Sequence, residues 1–232
     1  LGLVAALVAL RFALPLLLLH PAWEYHRDEL LYFAMGDHLA WRMQFPPFIA
    51  LLAAASDAVF GDSIWAARVP AALGGAALTA TVLLLLRRLG AGTWALVLAW
   101  LGLAVAPVFL RSSLLFQPVV FDQLWATVAV AGLVLAAEED RPRWWLLVGA
   151  ALGLGLLTKM SSLLYGASVL VVTLAVPRLR RQLVTPWPWL AALLACVIGA
   201  ATVLGQMHFD WPFLQQLEAL REGQFAHTSA LG

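Results

Sequence analysis

Two adjacent acids, Asp28 and Glu29, open the polar stretch that follows the first apolar run of this 232-residue chain. Carboxylates at such a boundary have two uses. Near a helix start they complement the helix dipole, an effect of about a few tenths of a kcal/mol. Held beside a substrate, they act as a general base or ligate a metal. Other ionisable residues stand at comparable points: Asp122 near the start of one apolar run, Lys159 at the end of another, and Arg111 at the end of a third. Such groups are costly inside or at the edge of membrane helices and tend to face a cavity or a partner. Each also has a plainer reading. Lys159 and Arg111 could be anchors that snorkel to the interface, and His26 and His208 could be polar contacts.

These residues sit in an unusually apolar chain, 63% hydrophobic and 12% charged, with a mean hydropathy of +0.89. A soluble domain carries about a quarter charged residues, so a water-facing surface built from this sequence would expose large apolar patches. The net charge of +1 gives no basis for a nucleic-acid partner. The single cysteine, Cys196, lies in an apolar run, allows no disulfide framework and reads as a buried small hydrophobe. Seven runs suit crossing a hydrocarbon core of about 30 Å: 2–19, 64–86, 92–110, 118–137, 143–159, 162–176 and 187–206. Backbone groups in lipid must be satisfied within the segment, so each is expected to be helical and the fold class all-α, a polytopic transmembrane bundle. Residues 1–232 are expected to form a single transmembrane domain. The chain has no initiator Met and ends in a polar segment, which suggests a piece of a longer protein.

The short loops set an orientation. Arg87, Arg88, Arg141, Arg143, Arg178, Arg180 and Arg181 fall in alternate loops, which makes that face cytoplasmic by the positive-inside tendency. The alternation needs all seven spans. Trp144, Trp145, Trp187 and Trp189 take interface positions. The opposite, exoplasmic face then receives all five histidines and ten of the thirteen acids. On it lies the loop 21–63. From Arg27 to Trp41 its apolar residues recur at near-helical spacing, predicting an amphipathic helix at the interface. Pro46 and Pro47 interrupt it, and 48–60 predicts a second interfacial helix ended by Gly61. The Gly149-x-x-x-Gly153 pair predicts close helix packing.

The segment from His26 through Asp28-Glu29 to Trp41, followed by Pro46-Pro47, resembles the first exoplasmic loop of bacterial integral-membrane glycosyltransferases. The family has the GT-C fold, is dolichyl-phosphate-mannose-protein mannosyltransferase-like, and includes protein O-mannosyltransferases and the aminoarabinose transferase acting on lipid A. Phe121-Asp122-Gln123-Leu124-Trp125 resembles its second acidic motif, and the run from Gly153 to Lys159 its lysine motif. The segment from Gln206 to Pro212 resembles the stretch after its seventh span. Two positions depart: Gln44 stands where relatives often carry an acid nearby, and Phe209 follows His208 where glycine is common.

The resemblance implies an inner-membrane enzyme that moves a sugar from a polyprenyl-phosphate carrier to an acceptor hydroxyl of a protein, lipid or glycan. Transfer would occur on the exoplasmic face with inversion. An inverting transfer needs one base, for which Asp28 is the candidate. The departing lipid phosphate needs positive charge, which Lys159 and, less centrally, Arg111 would supply. Asp122, with Glu29, would hold a divalent cation, Mg or Mn, since carboxylates suit hard cations. A contribution from His26 or His208 would favour Zn. The rival class is a secondary transporter using intramembrane carboxylates and Lys159, although such groups normally lie near the midplane of repeated halves and no internal repeat is evident here. A lipid-binding scaffold is the third reading.

Overall fold

The computed structural model describes residues 1–20, 24–38 and 46–223, and every regular element among them is helical. In chain order these are α1 (Gly2–Leu17), α2 (Arg27–His38), α3 (Phe48–Phe60), α4 (Ile64–Arg88), α5 (Thr93–Val105) and α6 (Pro107–Ser112). There follow α7 (Pro118–Glu138), α8 (Trp145–Thr158), α9 (Ser162–Ala175), α10 (Pro177–Gln182), α11 (Trp187–His208) and α12 (Pro212–Glu222). A 3-10 turn, Pro142–Trp144, leads into α8. The protein is an all-α membrane bundle. By length and composition α4, α7 and α11 suffice to cross a membrane, and shorter apolar helices occupy the other four expected positions.

One expected span is broken. The run 92–110 divides at Ala106, whose backbone is extended (φ −65°, ψ 125°), because Pro107 has no amide hydrogen to continue the ladder and instead starts α6. The short α6 that follows ends in turn with C-terminal carbonyls that need donors. Arg11, buried in α1, reaches that end of α6: its Nη2 donates to the Phe109 carbonyl at 2.9 Å and to Ser113 Oγ at 2.7 Å. Gly75 of α4 makes room for this junction, since a Cβ there would stand 2.7 Å from the Ser113 Cβ.

Small residues set the other main crossing. A Cβ at Gly149 of α8 would lie 2.7 Å from the Ala191 Cα of α11, and Gly153 abuts Ile198. The expected glycine pair therefore does bring two helix backbones together. Cys196 is a correction: it lies on the exposed side of α11 instead of being buried.

The loop between α1 and α4 folds as two helices. Gly36 of α2 meets the backbone of α3 at Ala50 and Ala54, and α3 buries Ile49, Ala50 and Ala53. These join Tyr32, Met35, Ala67, Phe116, Val120 and Phe121 in one apolar cluster, so α2 and α3 are docked onto α4 and α7. Gly61, at φ 62°, ends α3 with its N–H on the Asp57 carbonyl at 2.7 Å, a turn that glycine enters without a Cβ penalty. The expected α2 terminus at Leu39, Ala40 and Trp41 lies outside the described residues, as do Gln44 and His227.

The arginine-bearing loops gather on one face. Arg88 pairs with Glu139, Arg141 approaches Glu139 to 3.6 Å, and Arg178 approaches Glu138 to 3.4 Å. Three indole N–H groups are satisfied there: Trp144 on Glu139 at 3.0 Å, Trp145 on Gln182 at 2.8 Å, and Trp189 on the Leu183 carbonyl at 3.0 Å.

Candidate active site

The adjacent acids at the start of α2 are divided by their environments. Glu29 is fully buried. Its Oε2 accepts the His26 N–H at 2.8 Å, the reach-back half of a capping box. Its Oε1 accepts the Phe116 N–H at 2.6 Å and the Arg68 guanidinium of α4, with which it forms a buried ion pair. Arg68 also donates to the Glu24 carbonyl at 3.3 Å. One carboxylate thus ties α2, α4 and the link before α7 into a unit. Removing one partner of such a pair leaves an uncompensated buried charge.

Asp28, one residue earlier, points the other way and keeps a third of its side-chain surface exposed. Gln117 Nε2 donates to its Oδ2 at 3.1 Å. His26 Nδ1 accepts the Asp28 N–H at 3.3 Å and stands 3.7 Å from Oδ2. Arg27 Nε lies 3.4 Å from Oδ1, but that side chain is almost wholly exposed. Asp28 lines a cavity of about 360 Å³. The other walls come from four places: Tyr32 of α2, the α7 start (Gln117, Pro118, Val119), the α8–α9 turn (Thr158, Lys159, Met160, Ser161) and α12 (Phe213, Gln216), with Pro46 beside them. Burial, and secondarily the charge of Asp28, push the Tyr32 phenol up to about 12. It therefore stays an O–H at neutral pH.

Lys159 reaches this cavity because α8 stops before it. Its backbone is extended (φ −161°, ψ 144°) and its N–H closes on the Gly155 carbonyl at 2.8 Å. Among the described residues, no carboxylate lies within ion-pairing distance of its ammonium.

The remaining expected residues are elsewhere. Arg111, exposed at the end of α6, and His208, exposed at the end of α11 with its ring 4.6 Å from Phe209, do not line the cavity. Asp122 is buried, with its two oxygens accepting from Ser161 Oγ at 2.8 Å and Tyr165 Oη at 3.1 Å. Glu29 is engaged by Arg68, so the pairing of Asp122 with Glu29 around a cation does not form. Among the described residues no three His, Cys, Asp or Glu side chains are grouped so as to hold a metal ion. A hard divalent cation prefers six or more oxygen ligands, whereas Glu29 is held by Arg68 and two backbone N–H groups and Asp122 by the Ser161 and Tyr165 hydroxyls. These residues do not fit the expected metal.

Three participants escaped the sequence reading: Arg68, Gln117 and the Ser161–Tyr165 pair. Arg68 carried a usable signal, a lone charge in the second turn of an apolar span, where a partner is expected. Gln117 and the hydroxyls are neutral and had none.

A helical membrane bundle that gathers an acid, a lysine, an amide and a phenol in one cavity has the equipment of a membrane-embedded group-transfer enzyme. Residues 44–205 match the family of dolichyl-phosphate-mannose-protein mannosyltransferases, and the chain belongs to that family. It is a mannosyltransferase-like glycosyltransferase of the integral-membrane type, which sets the transporter reading aside. The match includes Arg68, Gln117, Asp122 and Lys159, while Asp28 and Glu29 precede it. No curated protein and no solved structure matches the chain.

Proposed function

We propose that the protein transfers a sugar from a polyprenyl-phosphate carrier to an acceptor hydroxyl, with Asp28 as general base and inversion at the anomeric carbon. The observation that supports this is the convergence of Asp28 and Lys159, far apart in sequence, on one cavity. The acceptor O–H gives its proton to an Asp28 oxygen as its own oxygen bonds to the anomeric carbon. The bond from that carbon to the phosphate oxygen breaks, and the polyprenyl phosphate departs with the electron pair. A single displacement inverts the centre. Lys159 stabilises the charge growing on the departing phosphate. Gln117 holds Oδ2 and so orients the carboxylate for the transfer. No step runs through a cation.

The donor class fits the location. A lipid-linked sugar presents its phosphate at the membrane boundary, where α2 and the α8–α9 turn bring their charges. The cavity lies on the side away from the arginine-rich loops, which supports an exoplasmic site under the positive-inside tendency.

Asp28→Asn tests the assignment. Transfer from a polyprenyl-phosphate sugar should fall by about 10²–10⁴-fold, the range for loss of a general base, with expression and thermal stability unchanged. Turnover close to the parent's would remove Asp28 from this role.

A further inference from the structure

Asp122 is a buried carboxylate that the proposed reaction leaves unused. It is 6% exposed on α7 and carries no counter-ion among the described residues. Its two oxygens are instead occupied by neutral hydroxyls, Ser161 Oγ at 2.8 Å and Tyr165 Oη at 3.1 Å. Both donors belong to the start of α9 and the residue before it. Trp125, three residues further along α7 and so on the same side of that helix, donates its indole N–H to Thr158 Oγ1 at 3.0 Å. Thr158 Oγ1 donates in turn to the Leu154 carbonyl at 2.8 Å.

α7 therefore grips both shoulders of a break whose interior is Lys159 and Met160. Thr158, at the end of α8, is held by Trp125. Ser161, just before α9, is held by Asp122. The turn is also folded tightly back on α8, because the space a Cβ would need at Gly155 is filled by Ser162. An exposed lysine on an unsupported turn would sample many rotamers and backbone states, and ordering them carries an entropic cost on binding. Here that ordering is built into the fold before any ligand arrives.

We propose that Asp122 is a positioning residue: through Ser161 and Tyr165 it fixes the α8–α9 turn so that Lys159 meets the phosphate of the lipid-linked donor. The inference rests on the reading of Lys159 given above, and it replaces the expected role of Asp122 as a cation ligand. A carboxylate suits the position because both of its oxygens accept from hydroxyls. Asparagine can keep both contacts if one hydroxyl turns to accept, whereas alanine keeps neither.

The test uses the full chain in detergent, with farnesyl phosphate as the probe and farnesol as its uncharged control. Amide hydrogen exchange is followed at 159–162. Asp122→Ala should weaken farnesyl phosphate binding about tenfold, the loss of a hydrogen-bonded charged group, leave farnesol binding unchanged, and speed exchange in the turn. Asp122→Asn should stay within about threefold of the parent on the same scale. Ser161→Ala combined with Tyr165→Phe should reproduce Asp122→Ala, and does so without touching the acid if that variant fails to fold. Asp122→Ala added to Lys159→Ala should weaken binding no further than Lys159→Ala alone. Parent-like exchange in the turn of Asp122→Ala or of the hydroxyl double variant, binding by Asp122→Asn as weak as by Asp122→Ala, or additive losses with Lys159→Ala would overturn the inference. Unchanged farnesyl phosphate affinity in Lys159→Ala would instead overturn the phosphate role of Lys159, while the exchange measurement still decides whether Asp122 holds the turn.

Discussion

The two polar faces of this bundle use charge in opposite ways. On the arginine face, charges are set against each other: Arg88 with Glu139, Arg178 with Glu138, and Arg88 stacked 5.2 Å over the Trp144 ring. These groups are largely in contact with solvent, where such pairs contribute little. On the cavity face the permanent pairing, Glu29 with Arg68, is sunk out of reach, while Asp28 and Lys159 face open space without facing each other as a closed pair. A face that satisfies its own charges can anchor and orient a protein. A face whose carboxylate and ammonium line one cavity without pairing with each other is arranged for something else to complete it.

The largest effect that would separate the faces is on stability. Glu29→Gln or Arg68→Ala should destabilise the protein by about 3–5 kcal/mol, the cost of stranding one member of a buried pair. Thermal unfolding would measure it, and a loss below about 1 kcal/mol would show that the pair behaves like its counterparts on the arginine face. Lys159→Ala should come next, lowering kcat by about 10²–10³-fold as for loss of one transition-state donor, with the melting temperature held. Single-turnover kinetics with a lipid-linked donor would read it. Gln117→Ala should follow at about 10–100-fold in kcat/KM, because a hydrogen bond to a charged group is worth about 1.5–3 kcal/mol. An unchanged value would mean Asp28 is oriented by its helix alone.

The smallest effect belongs to the arginine face. Arg88→Ala should cost about 0.2–1 kcal/mol and leave transfer intact. The Trp144 hydrogen bond first, and then Arg88 and Arg141, hold the Glu139 carboxyl below its ordinary 4.5. The sign follows from that lowered value. The stabilisation is fully present above 4.5 and fades as pH falls through the lower folded-state value. Acid titration of Trp144 fluorescence would track it, and Arg88→Ala should move its midpoint upward.

Sequence carried the helical class, the seven apolar positions and the two helices of the first loop, because periodicity and hydropathy are local properties. Asp28 and Lys159 were legible as a pair only through the sidedness of the loops. Glu29 and Asp122 were legible as acids but not as what they do. The difference between a metal ligand and a capping, ion-paired latch is made by Arg68, Phe116, Ser161 and Tyr165, partners that lie 39–87 residues away from them. The break at Ala106 was hidden for the opposite reason. Its cause, Pro107, is local, but a proline in an apolar run is tolerated wherever the surrounding protein supports the broken helix, and the side chain that pins the piece after the break, Arg11, is in another helix. Arg111 shows the remaining limit: position along a span does not say which side of the helix a cavity will occupy.

Arg11 also has a history within each molecule. Its acceptors, Phe109 and Ser113, come 98 and 102 residues later in the chain. At a synthesis rate of about 5–20 residues per second, α1 emerges about 5–20 s before they exist. During that interval the guanidinium belongs to an apolar helix with no mate, and the insertion machinery or the lipid headgroups must tolerate it. The arginine that pins the finished junction is thus a timed liability during biogenesis, eased when the broken helix brings partners to its Nη2.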